Sequence, residues 1–202
     1  MKIIIIILGV IAILIQPANF NEYIYQGESP NNYIIFNNEL WRIIFKEKNL
    51  IKIIRNESIG NMAFAEDTNE WKKSTIKNYL NDIYYKSLKE KDKIIAHDFV
   101  ISDKDEKEEK WNGKIGLLSI NDYINAFNKD KNYLNNLIYN NSDNVAWTMN
   151  KDTSAYNKVY HFGNTYFGDS LSYFEYAIFP TVYLNVKIEG GGTLRNPFKI
   201  VD

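Results

Sequence analysis

Apolar and polar residues alternate in short runs directly after residue 30, a pattern that predicts β-strands. Three such runs follow one another, at 33–36, 39–45 and 50–55. Asn37 and Asn38 separate the first two runs and predict a tight hairpin, because Asn tolerates a positive φ. At period two, one face of the second strand carries Trp41, Ile43 and Phe45. The sequence therefore predicts an N-terminal β-meander.

The spacing of apolar residues changes to three and four after residue 74, which predicts an amphipathic helix capped by Ser74 or Thr75. Its expected buried stripe is Ile76, Tyr79, Leu80, Ile83, Tyr84 and Leu88. A second helix is predicted to begin at Ser119, because Ser119 and Asp122 have the spacing of a capping box. This helix is expected to bury Tyr123, Ile124 and Phe127.

The C-terminal half contains less regular patterns. Residues 140–144 and 156–170 predict long loops or short irregular strands, whereas residues 182–188 predict a strand. A turn at 190–192 and a closing strand at 198–201 predict a C-terminal β-hairpin that pairs back on the sheet. The expected fold class is α+β: a β-meander, two main helices, long irregular loops and this hairpin, in a single domain over residues 31–202.

An unbroken apolar run at residues 3–15 follows Lys2. At about 1.5 Å per residue it spans roughly 20 Å, short of the ~30 Å core of a bilayer. With Lys2 before it and Pro17-Ala18 after it, the run predicts a signal peptide. Gln16 lies where a cleavage site prefers a small residue, so an uncleaved membrane anchor remains the alternative. Residues 1–18 are thus a signal peptide or anchor and 19–30 a linker, and the protein is expected to be extracellular or on the cell surface, secreted or anchored.

Composition narrows the classes of partner. Lys and Arg total 24 against 25 Asp and Glu, a net charge of -1, which gives no electrostatic basis for binding nucleic acid. The chain has no Cys, which excludes disulfides. Aromatic residues make up 15%, including 15 Tyr, and with many Asn they suit a polar and aromatic binding surface. An AT-rich genome produces the same composition.

No motif for a cofactor, metal or catalytic residue is recognised. Pro197 follows the glycines at 190–192 where a phosphate loop needs Lys and a helix, so they predict a turn. The charged run at 104–110 lacks the Gly of a calcium loop and predicts a solvated loop. Two His without Cys do not suggest zinc. The enzyme alternative rests on His161, with Asp169 or Glu175 as the carboxylate that orients it.

A ligand-binding face is predicted instead. Trp41 and Trp147 are expected in the core, whereas Trp71 beside the first helix and Trp111 after the charged run are expected to be exposed. Loops at one end of the sheet are expected to gather these two with the region that follows residue 156. The predicted face consists of Trp71, Trp111, Tyr160, His161, Tyr166, Asp169 and Tyr173, with a glycan or protein at the cell surface as ligand.

Several segments together resemble an uncharacterised domain of exported and pilin-like surface proteins of low-GC Gram-positive bacteria and their wall-less relatives. They are NYIIFNNELWRII at 32–44, IIRNESIG at 53–60, Trp71 with STIKNYLN at 74–81, KIGLLSINDY at 114–123, Trp147, and GGTLRNPF at 191–198. The resemblance implies surface location and a binding or structural role, and a C-type-lectin-like or formylglycine-enzyme-like fold. It leaves a filament subunit as an alternative, although the pilin-type N-terminal motif is absent. Phe179-Pro180 stands where members often have Arg-Pro.

Overall fold

Two main β-sheets and one helical segment organise the part of the chain that the computed structural model describes, residues 31–102, 106–122, 145–163 and 167–201. The strands are β1 (Tyr33–Phe36), β2 (Glu39–Glu47), β3 (Leu50–Arg55), β4 (Asn61–Ala63), β5 (Ile94–Ile95), β6 (His97–Val100), β7 (Lys110–Gly113), β8 (Ile115–Gly116), β9 (Val145–Asp152), β10 (Lys158–Gly163), β11 (Phe167–Leu171), β12 (Glu175–Ala177), β13 (Thr181–Asn185), β14 (Lys187–Glu189) and β15 (Lys199–Val201). The fold is strand-rich α+β, which confirms the predicted class.

The first sheet contains the predicted meander, in the order β1-β2-β3-β13-β5, with β8 also paired to β13. Asn37 and Asn38 form the hairpin turn with φ of 57° and 60°, as their tolerance of positive φ predicted. The expected alternation along β2 breaks at Ile44, where the register shifts by a β-bulge. Ile43 and Ile44 are consequently both buried, whereas Phe45 is only partly buried.

The first helix begins at the predicted cap, since the Ser74 hydroxyl accepts a hydrogen bond from the Lys77 amide at 3.0 Å. A 3₁₀ turn (Trp71–Lys73) precedes it, and α1 (Thr75–Asn78) continues through a π-helical segment (Tyr79–Tyr84) into α2 (Tyr85–Ser87). The buried stripe is Ile76, Leu80, Tyr84 and Leu88. Ile83 was predicted to be buried but is 63% exposed, because the wider π-helical turn rotates it away from the sheet.

The second helix begins after Ser119 with the predicted capping box. The Ser119 hydroxyl accepts from the Asp122 amide at 3.1 Å, and the Asp122 carboxylate accepts from the Ser119 amide at 2.9 Å. Tyr123, Ile124 and Phe127, its predicted buried residues, lie outside the described residues, as does the segment 140–144.

The second sheet has the order β11-β10-β9-β12-β4. Of the two alternatives predicted for 156–170, long loops or short irregular strands, the described residues contain strands, β10 and most of β11. β10 and β11 form a regular antiparallel hairpin in which Tyr160 lies opposite Asp169 and His161 opposite Gly168. Five consecutive residues of β10, 159–163, are buried, so the sequence shows none of the alternation that marks a strand with one exposed face.

The C-terminal hairpin of β14 and β15 forms as predicted and joins the N-terminal strand. The Tyr33 amide donates to the Gly192 carbonyl at 2.8 Å, and the Ile35 amide donates to the Phe198 carbonyl at 3.0 Å. The strand expected at 182–188 is interrupted at Val186, whose amide donates to the Asn49 carbonyl instead. The core draws on both sheets and the helical segment and includes Trp41 and Trp147, as expected.

Candidate functional site

Three aromatic side chains on two turns of the second sheet are exposed to solvent. Tyr156, in the turn between β9 and β10, is 83% exposed. Tyr173 and Phe174, in the turn between β11 and β12, are 54% and 46% exposed. We refer to Tyr156, Tyr173 and Phe174 as the aromatic patch. Exposed aromatic rings are unfavourable in water and mark sites of interaction when several lie together.

Backbone hydrogen bonds hold the two turns side by side. The Ser172 amide donates to the Asn157 carbonyl at 2.8 Å, which joins the turn of Tyr156 to that of Tyr173. The Ala65 amide donates to the Ser172 carbonyl at 3.1 Å and ties both to the loop that follows β4. The patch is therefore anchored on strands that pack on the core.

A ladder of aromatic rings connects the patch with the interior. Ring centroids are 5.1 Å apart for Tyr173 and Phe174, and 6.3 Å apart for Phe174 and Tyr176. Tyr176 in turn lies 4.6 Å from the buried Trp147 and 5.1 Å from His161. The Tyr176 hydroxyl forms a 2.9 Å hydrogen bond with the Ser170 hydroxyl. These contacts fix the orientation of the rings beneath the patch, which favours binding by reducing the entropy lost on association.

The two Trp residues of the predicted ligand-binding face are not part of the aromatic patch. Trp71, predicted to be exposed, is 2% exposed and packs on Phe64 and Trp111 with ring centroids 6.2 and 5.5 Å away. Trp111 is partly buried against the same core. The structure thus buries Trp71 and partly buries Trp111, because the 3₁₀ turn of Trp71 packs on the core, so neither ring belongs to the exposed patch.

Of the predicted residues near the patch, only Tyr173 belongs to it. Tyr160 and His161 are buried in β10, and Asp169 in β11 forms an ion pair with Lys158 at 2.6 Å. Tyr166 lies outside the described residues. Tyr156 and Phe174 were not singled out from the sequence, although an aromatic residue within a segment of turn-forming residues is a usable signal of exposure.

The carboxylates proposed to orient His161 do not share its side of the sheet. Asp169 lies opposite Tyr160, so its side chain projects to the face that the neighbouring His161 side chain does not occupy. Glu175 precedes Tyr176, whose ring contacts His161, and therefore also projects to the other side. The geometry does not assemble the histidine and carboxylate pair of the enzyme alternative. Among the described residues, no three His, Asp or Glu side chains are placed to hold a metal ion.

Burial lowers the pKa of His161, an effect that the nearby Asp169 opposes only in part. The unfolded chain binds a proton at His161 below about pH 6.5, whereas the folded chain does so only at lower pH. We expect stability to fall as the pH decreases through this window, and to fall less in a His161→Gln variant. Urea midpoints compared at about pH 7.5 and about pH 5.5 measure the effect. Equal pH dependence of the parent and the variant would contradict it.

No family model matches the chain, and no curated protein or solved structure matches it either. Within the ranges described, none of the helices combines the length and apolar character required to cross a bilayer. The fold and site together describe a strand-rich α+β protein with an anchored, exposed aromatic patch.

Proposed function

We propose that this protein is an exported or membrane-tethered surface module that binds glycan, without catalysis, through the aromatic patch. The exposure of Tyr156, Tyr173 and Phe174 on two hydrogen-bonded turns is the observation that carries the proposal. The apolar run at residues 3–15 after Lys2 supports export or tethering. A C-type-lectin-like arrangement is part of the proposal, supported by the hydrogen bonds between the C-terminal hairpin and β1.

A sugar fits this patch for chemical reasons. The C–H face of a pyranose ring is apolar and packs on an aromatic ring, while its hydroxyl groups at the rim form hydrogen bonds with polar side chains. Glu66 is exposed in the loop that the Ala65 amide joins to the turn of Tyr173, and its carboxylate can accept such bonds.

The size of the patch also favours a sugar over a protein partner. A stable protein interface buries about 800 Å² on each side. Three aromatic side chains bury at most roughly 150–250 Å² each, and these three are already partly covered. The patch by itself is thus smaller than a stable protein interface requires.

We expect the double variant Tyr173→Ala/Phe174→Ala to lose at least about tenfold in glycan affinity, because aromatic residues in a binding site commonly contribute more than about 1 kcal/mol each. A glycan array with the full-length protein identifies the ligand, and titration calorimetry then measures the affinity of the parent and the variant.

Ile83→Ala is the matched control, because Ile83 is 63% exposed but lies on the helical segment away from the patch. Equal melting temperatures of all three proteins establish that the fold is retained. Full glycan affinity in the double variant, or no glycan bound by the parent, would refute the proposal.

A further inference from the structure

An exposed bend at residues 193–196 connects the two strands of the C-terminal hairpin. The Asn196 amide donates to the Thr193 carbonyl at 3.1 Å and to the Thr193 hydroxyl at 3.0 Å, which closes the bend and leaves Leu194 and Arg195 at its tip. Leu194 is 62% exposed, and Arg195 beside it is exposed as well. We refer to residues 193–196 as the hairpin bend. Single exposed apolar residues are common on protein surfaces, so the position of the bend decides what Leu194 contacts.

The hairpin bend is fixed to the place where the described chain begins. The Tyr33 amide donates to the Gly192 carbonyl at 2.8 Å, and the Phe198 amide donates to the Tyr33 carbonyl at 2.8 Å, so both ends of the bend are bonded to β1. Gly192 has a φ of 66°, and a Cβ there would overlap the Asn31 carbonyl. This position therefore requires glycine, which lets the bend lie directly against Asn31.

The distance from Asn31 to the apolar run at residues 3–15 is limited by the length of chain between them. Fifteen residues, 16–30, separate the two, and even a fully extended chain of that length reaches at most about 50 Å. When residues 3–15 remain in a membrane as an anchor, the surface around Asn31 is the part of the domain that the chain holds near the lipid. Such a tether raises the effective concentration at the surface, so that a contact too weak to bind a free protein becomes populated.

The charges of the C-terminal hairpin suit an anionic surface. Between residues 187 and 199, three basic side chains and one acidic side chain are exposed, namely Lys187, Arg195 and Lys199 against Glu189. This segment has a net charge of +2 by that count, whereas the whole chain has a net charge of -1. Basic side chains next to a membrane anchor are attracted to anionic headgroups, and a neighbouring Leu enters the boundary between headgroups and acyl chains.

We infer that the hairpin bend is a second membrane contact, in which Leu194 enters an anionic lipid surface and Arg195 pairs with its phosphate groups. The inference rests on the membrane-tethered form of the proposed function. Two contacts, the anchor and the bend, restrict how the domain rotates on its tether. The aromatic patch lies on turns of the second sheet, so a change in the bend leaves the groups proposed to bind glycan in place.

A dye attached to the bend tests the contact, because the chain has no Cys and Asn196→Cys creates a single labelling site. The labelled full-length protein is reconstituted into vesicles of equal parts phosphatidylglycerol and phosphatidylcholine that contain a lipid-bound quencher. We expect the dye to be quenched. In Leu194→Ser/Arg195→Ser the equilibrium constant for contact is expected to fall at least about tenfold, because burial of a Leu side chain alone contributes about that factor. Quenching is expected to weaken with added salt and in vesicles of phosphatidylcholine alone.

Ile83→Ser/Lys86→Ser is the matched control, since it removes one exposed apolar and one exposed basic side chain from the helical segment. It is expected to be quenched like the parent. Equal quenching in the bend variant and the parent, no quenching in the parent, or equal quenching on both kinds of vesicle overturns the inference. Quenching that appears only at high protein density assigns the bend to a second copy of the chain and overturns it too. Glycan affinity of the same proteins, measured by calorimetry, tests the proposed function separately and is expected to be unchanged in the bend variant.

Discussion

Replacement of Asp122 by Ala is expected to lower the free energy of unfolding by about 3–5 kcal/mol, because it leaves the Lys52 ammonium buried without its carboxylate. The Lys52 Nζ lies 2.6 Å from the Asp122 carboxylate, and both side chains are almost fully buried. The rings of Phe99 and Tyr183 flank the ammonium at 5.4 and 5.3 Å. Burial of a charge in such surroundings is strongly unfavourable unless it is paired.

The same carboxylate also begins the second helix. It accepts hydrogen bonds from the Ser119 amide at 2.9 Å and from the Ser119 hydroxyl at 2.7 Å. Lys52 belongs to β3 in the centre of the first sheet, opposite Tyr183 of β13. Asp122 therefore connects the start of a helix with the central strand of the sheet, and its loss is expected to affect both.

Urea unfolding of the parent, Asp122→Ala, Lys52→Met and the double variant measures this coupling. The double variant is expected to lose less stability than the sum of the two single changes, because it removes the buried charge together with its partner. Lys72→Ala serves as the control, since Lys72 pairs with Glu109 at the surface and is expected to cost about 0–1 kcal/mol. A loss below about 1 kcal/mol in Asp122→Ala would contradict the buried ion pair.

The ion pair shows which parts of the fold the sequence can predict. The capping box depends on residues three apart and was predicted from their spacing, as was the turn at Asn37 and Asn38. The pairing of Lys52 with Asp122 joins residues 70 positions apart. No local pattern specifies such a partner, because tertiary packing alone brings the two elements together.

The candidate site likewise has features that the sequence predicted and features that it did not. Aromatic residues in the turn-rich region after residue 156 predicted a binding face there, and the exposed Tyr173 belongs to that region. The position of Trp71 beside the first helix also suggested exposure, but its 3₁₀ turn packs on the core and Trp71 is buried. Ile83 shows the opposite case, because a helical pattern predicted burial and a π-helical turn exposes it. Exposure thus depends on how whole elements pack, which a single sequence does not specify.

Trp71→Ala is expected to cost about 3–5 kcal/mol of stability, as for other large-to-small changes in a core, and to leave ligand affinity unchanged in the molecules that remain folded. Trp71 is 2% exposed and fills the space between Phe64 and Trp111. Its indole nitrogen is buried and has no hydrogen-bond partner among the described residues, so Trp71→Phe is expected to cost much less.

Urea unfolding and titration with the ligand found for the parent distinguish a core residue from a binding residue. A core role predicts that Trp71→Ala lowers the urea midpoint strongly, while the dissociation constant measured in the absence of urea changes only in proportion to the unfolded fraction. Tyr173→Ala is the converse control, because its side chain is 54% exposed and its loss is expected to weaken binding at constant stability. If Trp71→Ala instead abolished binding with an unchanged urea midpoint, Trp71 would belong to the ligand site and the burial described above would be wrong.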